Sequence, residues 1–161
     1  MQMDFLTRDA SQTKTVAKIL AKEVLKTELG NTAIIIGLVG DLGGGKTTFV
    51  QGFAQGLGIK GKILSPTFVI LRRMKIQNPR LAGRQARSKF QNFYHIDCYR
   101  IEKPKELLGL GFKEIIADPR NVVAVEWADK IKGLLPKNHL SVKFDFVDKN
   151  TRKITLWTKK N

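Results

Sequence analysis

Apolar residues recur along this chain in three rhythms. Uninterrupted runs at Ala33-Ile34-Ile35-Ile36-Gly37-Leu38-Val39 and Val122-Val123-Ala124-Val125 predict buried strands. Alternating runs predict further strands: Phe93 to Tyr99, and Leu140, Val142, Phe144 and Phe146 followed by Ile154, Leu156 and Thr158. The last two, joined by a turn at Asp148 to Thr151, read as a C-terminal antiparallel hairpin. Helical spacing appears from Ala10-Ser11-Gln12-Thr13 to about Leu29, with Val16, Ile19, Leu20, Val24 and Leu25 as its apolar stripe. Ser11 is the expected N-cap and Gly30 the expected stop. A second helix runs from Thr48 to Leu57 on Phe49, Val50, Phe53, Ala54 and Leu57. Shorter helical pieces are expected over Pro104 to Leu110, Phe112 to Ala117 and Ala128 to Leu135, and a short edge strand over Met3 to Leu6. Lys62-Ile63-Leu64 reads as a short strand, interrupted by Ser65-Pro66-Thr67, and Phe68 to Leu71 resumes extended sequence.

These elements fit one α/β domain over residues 1–161, of a length that buries roughly 70% of its unfolded surface. No apolar run approaches the roughly 20 residues of a membrane span. The opening residues lack a basic stretch followed by an apolar one, and the single cysteine, Cys98, has no partner for an intrachain disulfide. A cytoplasmic protein away from membranes is the expectation. The net charge of +15 changes the picture more, because it calls for a polyanionic partner: RNA, DNA or an acidic protein face. Much of it gathers in residues 72–92, where Arg72, Arg73, Lys75, Arg80, Arg84, Arg87 and Lys89 stand without an acid. This insertion reads as a basic protruding hairpin or loop, either a polyanion-binding element or a solvated connection.

Candidate chemistry centres on Gly40-Asp41-Leu42-Gly43-Gly44-Gly45-Lys46-Thr47-Thr48, which fits G-x-x-x-x-G-K-[ST]. A buried strand precedes it and a helix follows it, as a nucleotide phosphate loop requires. Glycines let backbone N–H groups converge on phosphate oxygens, and the opening helix adds unpaired N–H groups and the positive end of its dipole. Asp41, Gly43, Gly44, Gly45, Lys46, Thr47 and Thr48 are therefore expected against a nucleotide. Lys46 is expected to bridge the β- and γ-phosphates, Thr47 to offer its hydroxyl to Mg2+, and Thr48 to lie near the α-phosphate. The fold expected is a P-loop NTPase-like mixed sheet with a parallel centre, helices on both faces and the nucleotide at the carboxyl edge. A magnesium site needs another oxygen ligand, and a strand-end acid usually supplies it. Glu126 and Asp97 both stand at strand ends, and both can reach the loop only if their strands flank the one ending at Gly40. Asp97 has a second reading, as an acid bonded to its own turn. His95 reads as a packed strand residue rather than a base. Trp127 is either core or a wall of the nucleotide site. Ser65-Pro66-Thr67 is either a plain turn or a switch-like segment with a hydroxyl near the γ-phosphate.

In order and spacing, Gly40 to Thr48, Ser65-Pro66-Thr67-Phe68, His95-Ile96-Asp97-Cys98-Tyr99-Arg100 and Val125-Glu126-Trp127 resemble the TsaE (YjeE) family. That family is the small ATPase of bacterial threonylcarbamoyladenosine biosynthesis in tRNA. The resemblance spans nearly the whole chain. It implies binding of ATP or ADP with Mg2+, and slow ATP hydrolysis that resets an assembly with TsaB and TsaD. Those partners transfer threonylcarbamoyl to adenosine 37 of tRNAs that read codons starting with A. By position, the resemblance makes Thr47 and Glu126 the metal ligands. Asp97 becomes the essential acid near the γ-phosphate, and Lys46 and Thr67 its catalytic company. Ala10 to Thr13 fall where the family holds adenine. The basic insertion is longer and more positive than the family pattern and is a candidate tRNA contact. Two rivals differ in class: a small-molecule or nucleoside kinase with Asp97 as base, and an RNA-binding module with a vestigial nucleotide site. Intact Lys46, Thr47 and Glu126 argue against the second.

Overall fold

The computed structural model describes residues 2–61, 63, 70–77 and 88–158. Seven strands form one sheet: β1 (Gln2–Thr7), β2 (Ile34–Gly40), β3 (Leu71–Lys75), β4 (Asn92–Asp97), β5 (Asn121–Glu126), β6 (Leu140–Phe146) and β7 (Arg152–Thr158). Their spatial order is β1-β7-β6-β2-β5-β4-β3. β2 pairs parallel with β5 and β6, and β5 pairs parallel with β4. β7, β1 and β3 add on antiparallel. The expected parallel centre and C-terminal hairpin are both present.

Helices α1 (Ala10–Lys26) and α2 (Lys46–Gly56) cover one face of the sheet; α3 (Lys105–Leu108), α4 (Phe112–Ala117) and a 3₁₀ turn at Ala128–Ile131 cover the other. Each central strand therefore sends alternate residues into two cores. Ile36 and Leu38 of β2 pack with Phe49 and Phe53 of α2, while Ile35 packs with Val123, Val125 and Ile131. A strand covered on both faces needs apolar side chains at consecutive positions, which is why β2 and β5 read as continuous runs.

Several boundaries depart from the sequence pattern. Asp9, not Ser11, caps α1: its carboxylate accepts the Gln12 N–H at 2.7 Å. The helix stops at Lys26 instead of running to Leu29 and Gly30, because the Thr27 hydroxyl and N–H both bond the Val24 carbonyl. Of the expected stripe of α1, Val24 is buried and Val16, Leu20 and Leu25 pack partly buried against the core, but Ile19 is exposed, and Thr13, Ala17 and Ala21 complete the buried face. Helix α2 begins at Lys46, two residues before the expected Thr48. Arg72, Arg73 and Lys75 belong to edge strand β3, which pairs antiparallel with β4, so of the two expected forms, hairpin or loop, the start of the basic insertion takes the strand of a hairpin. After Trp127 the chain makes only the 3₁₀ turn, not a helix to Leu135. Ile63 is not in a strand; Lys62, Leu64 to Val69 and Asn78 to Arg87 lie outside the described residues.

The small residues of α1 answer a close approach of α2. An added Cβ at Gly52 would stand 2.5 Å from Lys14 Cα and carbonyl oxygen, and one at Gly56 would stand 2.6 Å from Ala21 Cβ and 2.9 Å from the Lys18 carbonyl. Gly52→Ala is expected to destabilise the domain. The clash is with helix backbone, which has no flexible end to give, and overpacking costs about 1–3 kcal/mol. Alanine returns only about 1 kcal/mol of helix propensity. Thermal unfolding of the variant, monitored by circular dichroism, should show a lower Tm; an unchanged or raised Tm would mean that α1 moves away without penalty.

Candidate functional site

The phosphate loop connects β2 to α2, and its shape follows from neighbouring backbone. Gly40 has φ +140°, and a Cβ there would stand 2.6 Å from the Phe144 carbonyl of β6. Gly45, with φ +102°, sits in the left-handed region immediately before Lys46 and lets the chain enter α2 abruptly. The Gly44 N–H closes a turn onto the Asp41 carbonyl at 3.0 Å. The loop wraps the floor of a cavity of about 530 Å³, lined by Leu42, Gly43, Gly44, Gly45, Lys46, Thr47, Thr48, Ile70, Asp97, Tyr99, Arg100, Glu126 and Trp127.

Four of the predicted groups meet there. The Thr47 hydroxyl donates to the Glu126 carboxylate, 2.9 Å from Oε2 and 3.1 Å from Oε1. The Lys46 ammonium donates to the carbonyls of Gly40 and Asp41 at 2.6 and 2.7 Å and stands 3.9 Å from the Trp127 ring centroid. Burial pushes the Lys46 ammonium below its ordinary pKa, while Glu126, Asp41, Asp97 and Asp129 pull it back up. Trp127 is thus a wall of the cavity, in a left-handed conformation with φ 58° that is uncommon for a bulky residue. Its ring packs at 5.1 Å against that of Tyr99, which Lys130 approaches from outside while donating to the Tyr99 carbonyl.

The two acids are not equivalent. β5 lies beside β2, so Glu126 reaches Thr47 directly. β4 lies one strand further out and does not flank β2, contrary to expectation for Asp97. Asp97 and Glu126 are nevertheless register partners across β4 and β5, which brings Asp97 into the cavity lining. Asp97 Oδ1 accepts the Tyr99 N–H at 2.9 Å, so it also closes its own turn.

Three predicted residues do not line this cavity. Ala10 is exposed at the start of α1. Thr13 is buried behind the loop, its hydroxyl 2.9 Å from that of Thr7 and 3.3 Å from the Asp9 carbonyl. Asp41 contributes its carbonyl to Lys46 and Gly44 rather than its side chain. Thr67, with Ser65 and Pro66, lies outside the described residues. Tyr99 and Arg100 line the cavity although the sequence reading assigned them no role; their place just after Asp97, at a strand end facing the loop, was the available signal. His95, read only as packed, is buried as expected but bonds Glu126 Oε1 through Nε2 at 2.8 Å.

Cys98 leads away from the chemistry. It is fully buried, and burial, reinforced by the Asp97 charge, pushes its thiol up to about 12. At pH 8 roughly one thiol in ten thousand is then ionised, and only thiolate is nucleophilic. Iodoacetamide at that pH should leave the native chain unmodified by mass spectrometry and label it once in urea; labelling of the folded chain would contradict the burial.

Known proteins resemble this chain over most of its length. Residues 7–154 match the family model described as threonylcarbamoyl adenosine biosynthesis protein TsaE. A protein named tRNA threonylcarbamoyladenosine biosynthesis protein TsaE, from Haemophilus influenzae, is 35% identical over 148 residues, 92% of this chain and 82% of that one. One of the same name from Bacillus subtilis is 33% identical over 154 residues, 96% of this chain and 84% of that one. The crystal structure of Bacillus subtilis YdiB superposes with a TM-score of 0.70 at 30% identity, covering 100% of this chain and 88% of that one.

Proposed function

This chain belongs to the TsaE family, and we propose that it binds ATP or ADP with Mg2+ in the loop cavity and hydrolyses ATP slowly. We propose further that this activity serves tRNA threonylcarbamoyladenosine formation, with TsaB and TsaD homologues as partners. The observation that carries the nucleotide reading is the meeting of Thr47 and Glu126 at the mouth of a glycine loop that opens a helix.

The donor set there fits magnesium. A hydroxyl and a carboxylate are hard oxygen ligands, so Thr47 and Glu126 would hold the ion, with phosphate oxygens and water supplying its remaining ligands. Among the described residues no group of three or more His, Cys, Asp or Glu side chains is placed to hold a metal by itself. Shared ligation with a nucleotide is the arrangement that two protein oxygens allow. When bound, the ion supplies charge neutralisation at the phosphates and polarises the transferred group.

The remaining steps belong to the protein's own groups. Loop N–H groups between Gly43 and Thr48, apart from that of Gly44, which already donates to Asp41, bind phosphate oxygens. Lys46 exchanges its two neutral carbonyl partners for charged oxygens, a gain for a desolvated ammonium. Asp97 orients the attacking water from the far side of the cavity. Trp127 and Tyr99 exclude solvent on one wall. No helix among the described residues is long and apolar enough to cross a membrane. The charge of +15 favours a polyanionic partner, and the basic stretch that begins on β3 is the proposed tRNA contact.

Lys46→Ala should lose tight triphosphate binding while the domain stays folded. A charge-assisted contact contributes roughly 1.5–3 kcal/mol, or about ten- to hundred-fold in Kd. Calorimetric titration with ATP tests this, and unchanged affinity would remove Lys46 from the site. Glu126→Gln should weaken the magnesium dependence of binding, whereas Asp97→Asn should mainly slow hydrolysis. Magnesium titrations and phosphate-release assays on both variants separate the roles; identical behaviour would show the two acids wrongly divided.

A further inference from the structure

His95 and Glu126 form a buried pair that the proposed chemistry has not yet used. Their side chains are 0% and 3% exposed, and His95 Nε2 lies 2.8 Å from Glu126 Oε1. A carboxylate only accepts, so the imidazole donates through Nε2–H. Its other nitrogen, Nδ1, is buried with no hydrogen-bond partner among the described residues. Among those residues nothing offsets the hydration that this buried nitrogen forfeits. An apolar ring between α2 and the sheet would avoid the cost. The pair is therefore poorly explained as packing alone.

Its consequence lies at Glu126. Oε1 receives both His95 and a share of the Thr47 hydroxyl, which fills its two lone pairs. Oε2 receives Thr47 alone and keeps one lone pair open. His95 comes from β4 and Glu126 from β5, so the bond also ties the strand that carries Asp97 to the strand that carries the carboxylate.

We propose that His95 is a positioning residue: it fixes the rotation of the Glu126 carboxylate so that Oε2 is the oxygen available to the magnesium shell. Hydrogen-bond partners of a ligating carboxylate govern metal affinity by fixing its geometry before the ion arrives. The inference rests on the magnesium–nucleotide reading of the cavity.

The test compares wild type, His95→Phe and His95→Gln. ADP is titrated calorimetrically with and without Mg2+, and Mn2+ binding to the ADP complex is followed by electron paramagnetic resonance. His95→Phe should keep the metal-free ADP affinity and bind metal roughly 10–100-fold more weakly. His95→Gln, whose amide nitrogen reaches the place of Nε2, should recover most of the metal affinity. Should His95→Phe fail to fold, His95→Asn replaces it, since its amide ends where Nδ1 stands and does not reach Glu126. Wild-type metal affinity in His95→Phe or His95→Asn would overturn the proposal. So would equal metal loss in the glutamine variant, or equal loss of metal-free ADP affinity with a lowered Tm in all variants. A wild type that binds no ADP would overturn the nucleotide reading and this inference together; magnesium-dependent wild-type binding that survives removal of the imidazole would overturn this inference alone.

Discussion

The hydroxyl of Thr47 meets the carboxylate of Glu126 across 79 residues of sequence, and this contact depends on β5 lying directly beside β2. Parallel pairing from Ile34–Val122 to Leu38–Glu126 brings the end of β5 level with the end of β2, where the loop begins. Glu126 points to the face that carries α2, because Val122 and Ala124 on the same strand face pack into the core beneath that helix. A slip of one residue in this register would turn Glu126 to the opposite core and present Val125 to Thr47. The continuous apolar character of β2 and β5, buried on both sides, is what such a slip would leave least disturbed. The register therefore rests on buried shape, such as Gly37 against Ala128 just beyond β5, as well as on hydrophobicity.

The loop is held from behind as well as from below. Thr13 on α1 approaches Gly45, with 4.0 Å between Thr13 Cγ2 and the position of an added Cβ. The absence of side chains at Gly52 and Gly56 lets α1 lie against α2 almost backbone to backbone. The first turn of α2 carries Lys46, Thr47 and Thr48, so the packing of two helices fixes where a phosphate would be received. Thr13 serves that support with its hydroxyl already engaged by Thr7 and Asp9.

Much of the fold was legible locally. The strand–loop–helix unit from Ala33 to Leu57, the C-terminal hairpin and the pair of strand-end acids all follow from runs, alternation and glycine placement. Misreadings occur where two local signals compete. Ser11 and Asp9 both suit an N-cap, and Asp9 wins because its extended backbone lets the carboxylate reach the Gln12 N–H. Ile19 looked like core because it is large, yet the close approach of α2 selects alanines 17 and 21 instead. For Arg72, Arg73 and Lys75 the local pattern left hairpin and loop open; the structure gives the hairpin strand, because an edge strand tolerates charge on its surface.

The sequence by itself determined the elements, the phosphate loop and which side chains are chemically able to serve a nucleotide, because each depends on residues within a few positions of one another. Tertiary structure alone decided the strand order, which sets Glu126 directly beside Thr47 and Asp97 one strand further out. It also decided that Lys46 rests against Trp127, and that His95 bonds Glu126 through Nε2. The physical reason is that pairing in a parallel sheet is set by long-range packing of helices on two faces, a constraint that no local spacing in the chain encodes.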